Sequence, residues 1–141
     1  MTIRYGMIEA KVLVAGQAEG PALVLGEPLS FWGGLDPATG GVIDRRHPQH
    51  GIVVTGQVLV MPSGRGSSSS SAVLAEAVRL GTGPAAILLS HPDAIIAIGA
   101  MVAAELYGSV MPVLAVDAAR LATLRTGNHI AIDANGKVSV T

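Results

Sequence analysis

The chain has 141 residues, half of them hydrophobic but only 3% aromatic, and 9 Lys+Arg against 10 Asp+Glu leave a net charge of −1. That length supports a sizeable core, which must be built from Val, Ile, Leu and Ala. The even charge balance argues against the basic stripe that a nucleic-acid or anionic-membrane surface needs, and the absence of cysteine excludes disulfides and thiolate ligation of zinc or an iron–sulfur cluster by this chain itself.

Only 13% of residues are charged and the mean hydropathy is +0.53, a balance that predicts a surface partly covered by a partner. The first six residues lead into no leader-type apolar segment. The longest apolar run, residues 94–104, falls far short of the ~20 residues that cross a bilayer. The expectation is a single domain over residues 1–141, cytoplasmic, with no membrane contact.

In chain order, residues 8–14 mix apolar and polar side chains as a strand does, and Gly16 with Glu19-Gly20-Pro21 predicts a turn. Residues 22–25 read as the next strand. Residues 26–41 form a long turn-rich segment holding the only Trp and the only Phe, beside Gly33-Gly34 and Gly40-Gly41. A loop of that length in a compact domain is functional or disordered, and two bulky aromatics argue for order. Its part from Ser30 to Gly41 is expected to face the active-site cleft or a partner. Residues 42–44 suggest a short strand, and His47-Pro48-Gln49-His50 a polar loop. Its H-x-x-H spacing is a weak metal signal, with two ligands on a Pro-containing loop and no third candidate nearby. A hydrogen-bonded loop histidine is the better reading, and no metal site is assigned.

Residues 52–54 and 58–60 read as one strand running into Met61-Pro62-Ser63-Gly64-Arg65-Gly66-Ser67-Ser68-Ser69-Ser70-Ser71. Residues 72–80 then predict a helix ending at Gly81 as its C′ residue. Pro62 ends the strand, and the serines bring hydroxyls and unpaired N–H groups to a helix N-terminus, where the dipole favours an anion. Arg65 adds a planar cationic fork suited to carboxylate or phosphate. Two plainer readings compete: a flexible Gly/Ser linker and simple helix capping. Well-formed elements on both sides speak against a linker, and capping needs one serine rather than five. A P-loop is excluded, because the GxxxxGK[ST] spacing and its lysine are missing. Ser69 and Ser70, deeper into the helix, are expected to serve only as cap or surface hydroxyls.

Beyond the turn, residues 85–89 read as a strand, and Ser90-His91-Pro92-Asp93 leads into a helix over 94–107 that is apolar nearly all round and so expected to be buried on most sides. Residues 111–116 predict a strand, Asp117 a cap, and 118–125 a helix. Residues 129–132 and 137–140 make a hairpin across Asn135-Gly136. Antiparallel β structure at both ends and alternating strand and helix between them predict an α/β fold in β/β/α layers.

The motifs Leu29-Ser30-Phe31-Trp32-Gly33-Gly34-Leu35-Asp36-Pro37, Thr39-Gly40, Val42-Ile43-Asp44, His47-Pro48 and Gly56-Gln57-Val58-Leu59-Val60-Met61-Pro62, with Gly64-Arg65-Gly66-Ser67-Ser68, resemble the small subunit of the aconitase X family. The likeness runs from about residue 26 to 116. It implies a swivelling β/β/α domain, similar to the mobile fourth domain of aconitase, that docks on a much larger subunit carrying an iron–sulfur cluster. It also implies a two-subunit hydro-lyase that is inactive without its partner. Matching the Gly-x-Gly-Ser pattern implies Ser67 as the catalytic base, with Arg65, Gly66 and Ser68 at the substrate. Ser69-Ser70-Ser71 continue past the pattern, which leaves Ser68 as the alternative base.

The chemistry of dehydration is consistent with that assignment. A hydroxy acid losing water needs a base for its C–H proton, a Lewis acid for the departing hydroxyl and a clamp for its carboxylate. A cysteine-free chain supplies the first and third. Within the family the candidate substrates are cis-3-hydroxy-L-proline and mevalonate 5-phosphate. The lack of Lys/Glu enrichment favours the former. A different class, a phosphohistidine swivel carrier using His91, is suggested by Ser90-His91 with the later Gly108 and Pro112. The Pro92-Asp93 insertion and the longer run to the Gly and Pro break that spacing, and favour a structural His91 near a helix start.

Overall fold

The structure, a computed structural model, describes residues 6–141. Residues 1–5, part of the stretch read above as lacking a leader, lie outside the described residues. Eight strands form one sheet: Gly6–Ile8 (β1), Ala10–Val14 (β2), Ala18–Val24 (β3), Val58–Met61 (β6), Ala86–Leu89 (β7), Val113–Val116 (β8), His129–Ile132 (β9) and Val138–Val140 (β10). Their order is β1-β10-β9-β3-β6-β7-β8-β2. Leu35–Asp36 (β4) and Gly41–Val42 (β5) make a separate small hairpin.

Two segments roll the sheet nearly shut. β1 and β2 are separated only by Glu9, yet β1 pairs with β10 and β2 with β8, at opposite ends of the strand order. β3 pairs antiparallel with β9 through Ala18–Pro21 and parallel with β6 through Ala22–Val24. The result is an antiparallel half and a parallel half facing each other.

The period-2 alternation of the parallel strands builds the layers. Val58, Val60, Ala86, Leu88, Leu114 and Val116 are buried with Ile130, Ile132 and Val138 of the antiparallel half. Their alternates Leu59, Met61, Ile87, Leu89 and Val113 are buried with Leu74 and Ala77 of Ser70–Leu80 (α2) and Ile96 and Ala100 of Ala94–Tyr107 (α3). This is the expected β/β/α order. Gly81 and Gly108, both at positive φ, end α2 and α3, and Asp93 Oδ1 caps α3 by accepting from the Ile95 and Ile96 N–H groups. No helix among the described residues is long and apolar enough to cross a membrane.

Four expectations are corrected. Glu19-Gly20-Pro21 is no turn but the middle of β3; Pro21 is accommodated where the strand changes partners, so its missing N–H falls at the junction. Residues 52–54 do not run on into β6: Val53 only bridges Gly41, and the chain turns before Val58. The helix expected over 118–125 closes early as Ala118–Leu121 (α4), with the Thr123 hydroxyl donating to Arg120 O and Arg125 N to Asn128 Oδ1, local bonds that compete with a further turn. Finally, α3 is not buried on most sides. Its inner face is, but Ile98, Met101 and Leu106 are 50%, 52% and 68% exposed.

Candidate active site

The carboxyl ends of parallel strands are where open α/β sheets bind ligands, and three such ends meet here. From β3 the chain runs into residues 25–30 and a single irregular turn, Phe31–Gly34 (α1), with Trp32 and Gly33 outside helical angles. From β6 it enters the Gly/Ser turn. From β7 it passes through Ser90 and His91, whose backbone N–H groups donate to Pro62 O at 3.1 and 2.9 Å, to α3.

The three segments enclose a hollow of about 80 Å³. Leu29 and Phe31 wall it on one side, Asp93, Ile95 and Ile96 on the other, and Gly64, Arg65, Gly66, Ser67 and Ser70 form its floor. The glycines sit close to neighbouring side chains. A Cβ on Gly64 would lie 2.6 Å from Asp93 Oδ2, and one on Gly66 would lie 2.4 Å from Ser30 Oγ.

The fold sorts the five serines by role. The Ser67 hydroxyl is tied to the start of its own helix, accepting from Ser69 N at 3.0 Å, yet the residue is half-exposed and lines the hollow. Ser68 is exposed, outside that lining, and its carbonyl accepts from the Ser71 N–H and hydroxyl. Ser69 is exposed and makes no side-chain cap. Ser70 departs from the expected surface or capping role: it is 4% exposed, and its Oγ accepts the Trp32 N–H at 3.1 Å. It joins the turn to the loop after β3. Among the described residues no acceptor meets the N–H of Gly66, Ser67 or Ser68, so these donors stay open to an anion.

Arg65 is exposed, with Nη1 3.4 Å from Glu27 Oε1. A pair that long and solvated holds the guanidinium weakly, which leaves it free to exchange Glu27 for another carboxylate. The neighbouring His47 is 3% exposed and fully engaged: Nδ1 accepts from Gln49 N at 3.0 Å, so Nε2 carries the proton it donates to Glu27 O at 2.9 Å. It is the hydrogen-bonded loop histidine expected, and neither nitrogen is spare for a metal. His50 is exposed. His91 is exposed and pairs through Nδ1 with the Ser90 hydroxyl at 3.1 Å, outside the hollow. Replacing His47→Ala should lower stability by about 1–2 kcal/mol by orphaning both backbone partners; thermal unfolding checks it, and an unchanged transition would refute the role.

The turn-rich segment 26–41 divides its aromatics. Phe31 is buried in the domain's own core while Trp32 is 59% exposed, and the segment lies against the Ser67 turn through Ser30 and Trp32. Sequence reasoning missed Leu29 and Asp93 as parts of the hollow, and Ser30 as the neighbour of Gly66. Their one signal was position, each just beyond a strand of the parallel half.

The family profile for the aconitase X swivel domain matches residues 7–140. The chain is 50% identical over 107 residues to the cis-3-hydroxy-L-proline dehydratase of Pseudomonas aeruginosa, a match covering 76% of this chain but only 18% of that protein's length. It is 46% identical over 96 residues to the phosphomevalonate dehydratase small subunit of Methanothermobacter thermautotrophicus, covering 68% of this chain and 73% of that one. The crystal structure of Thermococcus kodakaraensis aconitase X superposes with a TM-score of 0.85 at 33% identity, over 96% of this chain and 98% of that one. The match of fold, the matched span and the Gly-Ser turn at the strand ends together place the chain in the aconitase X swivel domain family.

Proposed function

We propose that the chain is the swivelling small part of an aconitase X dehydratase, that Ser67 is its base and that cis-3-hydroxy-L-proline is its substrate. The observation that carries this reading is the hollow itself. About 80 Å³ holds two or three waters, far below the ~300 Å³ at which pockets for small organic ligands begin. The serine turn is therefore one wall of a site, and a second body supplies the other.

Loss of water from the substrate would break a C–H and a C–O bond on neighbouring carbons. The proton passes to Ser67 Oγ in its alkoxide form, the C–H electron pair forms the C=C bond, and the oxygen departs as hydroxide, which takes the serine proton to leave as water and restores the alkoxide. Ser67 is a poor base unless negative charge on its oxygen is stabilised, and the Ser69 N–H at 3.0 Å, at the start of α2, gives that stabilisation. Arg65 and the open N–H groups of Gly66, Ser67 and Ser68 would hold the substrate carboxylate. An iron–sulfur cluster does not fit this chain: it has no cysteine, and no group of three His, Asp or Glu among the described residues is placed to hold a metal ion. In this reading the cluster belongs to the larger partner.

Mevalonate 5-phosphate is the second reading, favoured by the match over 73% of the length of a phosphomevalonate dehydratase small subunit. The two separate in one assay. The chain is mixed with the large aconitase X subunit of the same organism, and water loss from each compound is followed by mass spectrometry. Turnover of hydroxyproline by the pair, with none by either part alone, is expected. Preferential turnover of the phosphate would select the second substrate, and activity in the isolated chain would overturn the two-part reading.

A further inference from the structure

We infer that the outer face of α3 is the surface on which the larger body docks, with its apolar side chains as the occupant. This rests on the reading of the chain as one wall of a two-part site. Ile95, Ile98, Val102 and Leu106 follow one another at spacings of three, four and four along α3, which aligns them in a single stripe. Met101 lies beside it. Ile98, Met101 and Leu106 are exposed, and with Val102 and Glu105 they bound a groove of about 340 Å³.

An exposed apolar stripe does not by itself name what covers it. The hollow does, because Ile95 belongs to both: it lines the cavity with Ser67 and opens the stripe. Whatever closes the cavity over Ser67 must sit on Ile95, and from there the stripe continues away from the site without a polar break until Glu105. The far side is edged by charge, with Arg79 paired to Glu76 and placed 5.8 Å over the Tyr107 ring. An apolar centre inside a polar rim is the anatomy of a protein interface. The occupant's size also fits, since the swivel-like segment accounts for only 18% of the Pseudomonas relative and a body several times larger makes up the rest. Exposed Trp32, whose N–H is held by Ser70 of the hollow's lining, would lie under the same body.

The test measures binding of the large aconitase X subunit of the same organism by calorimetry. It compares wild type, Ile98→Asp/Met101→Asp, Leu106→Arg, and Met7→Asp as a control on the antiparallel half. Circular dichroism checks the fold of each free chain, and sedimentation gives its mass. Wild-type and Met7→Asp chains should bind alike. The two α3 variants should bind at least ~100-fold more weakly while remaining folded. Unchanged binding by folded α3 variants overturns the docking face but leaves the two-part reading standing. No binding by wild type overturns both. A wild-type chain that sediments as a dimer, made monomeric by Leu106→Arg with binding of the large subunit unaffected, assigns the face to a second copy and also overturns the proposal.

Discussion

Ser67→Ala is expected to reduce turnover of the assembled enzyme by about 10²–10⁴-fold, the usual contribution of a positioned acid or base. KM, the melting temperature and affinity for the large subunit should stay close to wild type. Among the described residues the side chain makes one bond, as acceptor of the Ser69 N–H, and that amide lies at the open first turn of α2, where water can replace the lost oxygen. The structural cost is therefore small and the chemical cost large. Three comparisons separate this from a general effect of the turn. Ser68→Ala removes a hydroxyl that does not line the hollow and should leave turnover within a few-fold. Ser70→Ala should act through stability, since its buried oxygen is the acceptor for Trp32 N. Arg65→Lys should raise KM more than it lowers kcat, because the ammonium keeps the charge but loses the two-point grip. Steady-state kinetics with thermal melts decide the matter. Near wild-type turnover in Ser67→Ala would remove it as the base and move the assignment to Ser68.

Much of this arrangement was legible in the chain because local signals and the fold agree. Gly81 and Gly108 end α2 and α3 where a glycine C′ predicts, and Asp117 caps the helix it precedes, as expected; Asp93 caps α3 in the same way, though it was read only as leading into that helix. The strand–turn–helix around Ser67 is likewise local. Partners distant in sequence were beyond reach. Nothing near Ser70 announces that its hydroxyl binds an amide 38 residues away, so five similar serines could not be divided by role. Pro21 reads as a turn signal because its neighbours do, while the sheet uses it as a point of exchange between β9 and β6. The misreading of α3 has a different origin. An all-apolar helix is buried all round only if something packs on every side, and here the sheet and α2 cover one face. The composition that predicts a covered surface and the pattern that predicts a buried helix describe the same residues, and the docking proposal places their cover outside this chain.

Gly66→Ala should be as damaging to turnover as losing the base, though by a separate route. Gly66 has φ +92, a region that costs an L-residue about 1–3 kcal/mol. The new methyl would also point at Ser30, 2.4 Å from its Oγ and 3.0 Å from its Cβ. The loop after β3 cannot simply retreat, because Trp32 N is bound to buried Ser70 and Phe31 is packed in the core. Rotating the Ser30 hydroxyl relieves only the nearer contact; the remaining one to its Cβ, added to the unfavourable φ, shifts the turn, and it carries Ser67 with it. A displacement of about 1 Å at a reacting atom costs on the order of 10² in rate. The two causes separate in the double variant Ser30→Gly/Gly66→Ala, which removes the clash and keeps the unfavourable φ. Relative to Gly66→Ala it should regain part of the lost melting temperature and part of kcat, without reaching wild type. Full recovery would mean that φ at residue 66 is unimportant. Wild-type kcat in Gly66→Ala alone would mean that the turn tolerates movement and that the position of Ser67 against Ser30 and Asp93 does not govern the chemistry.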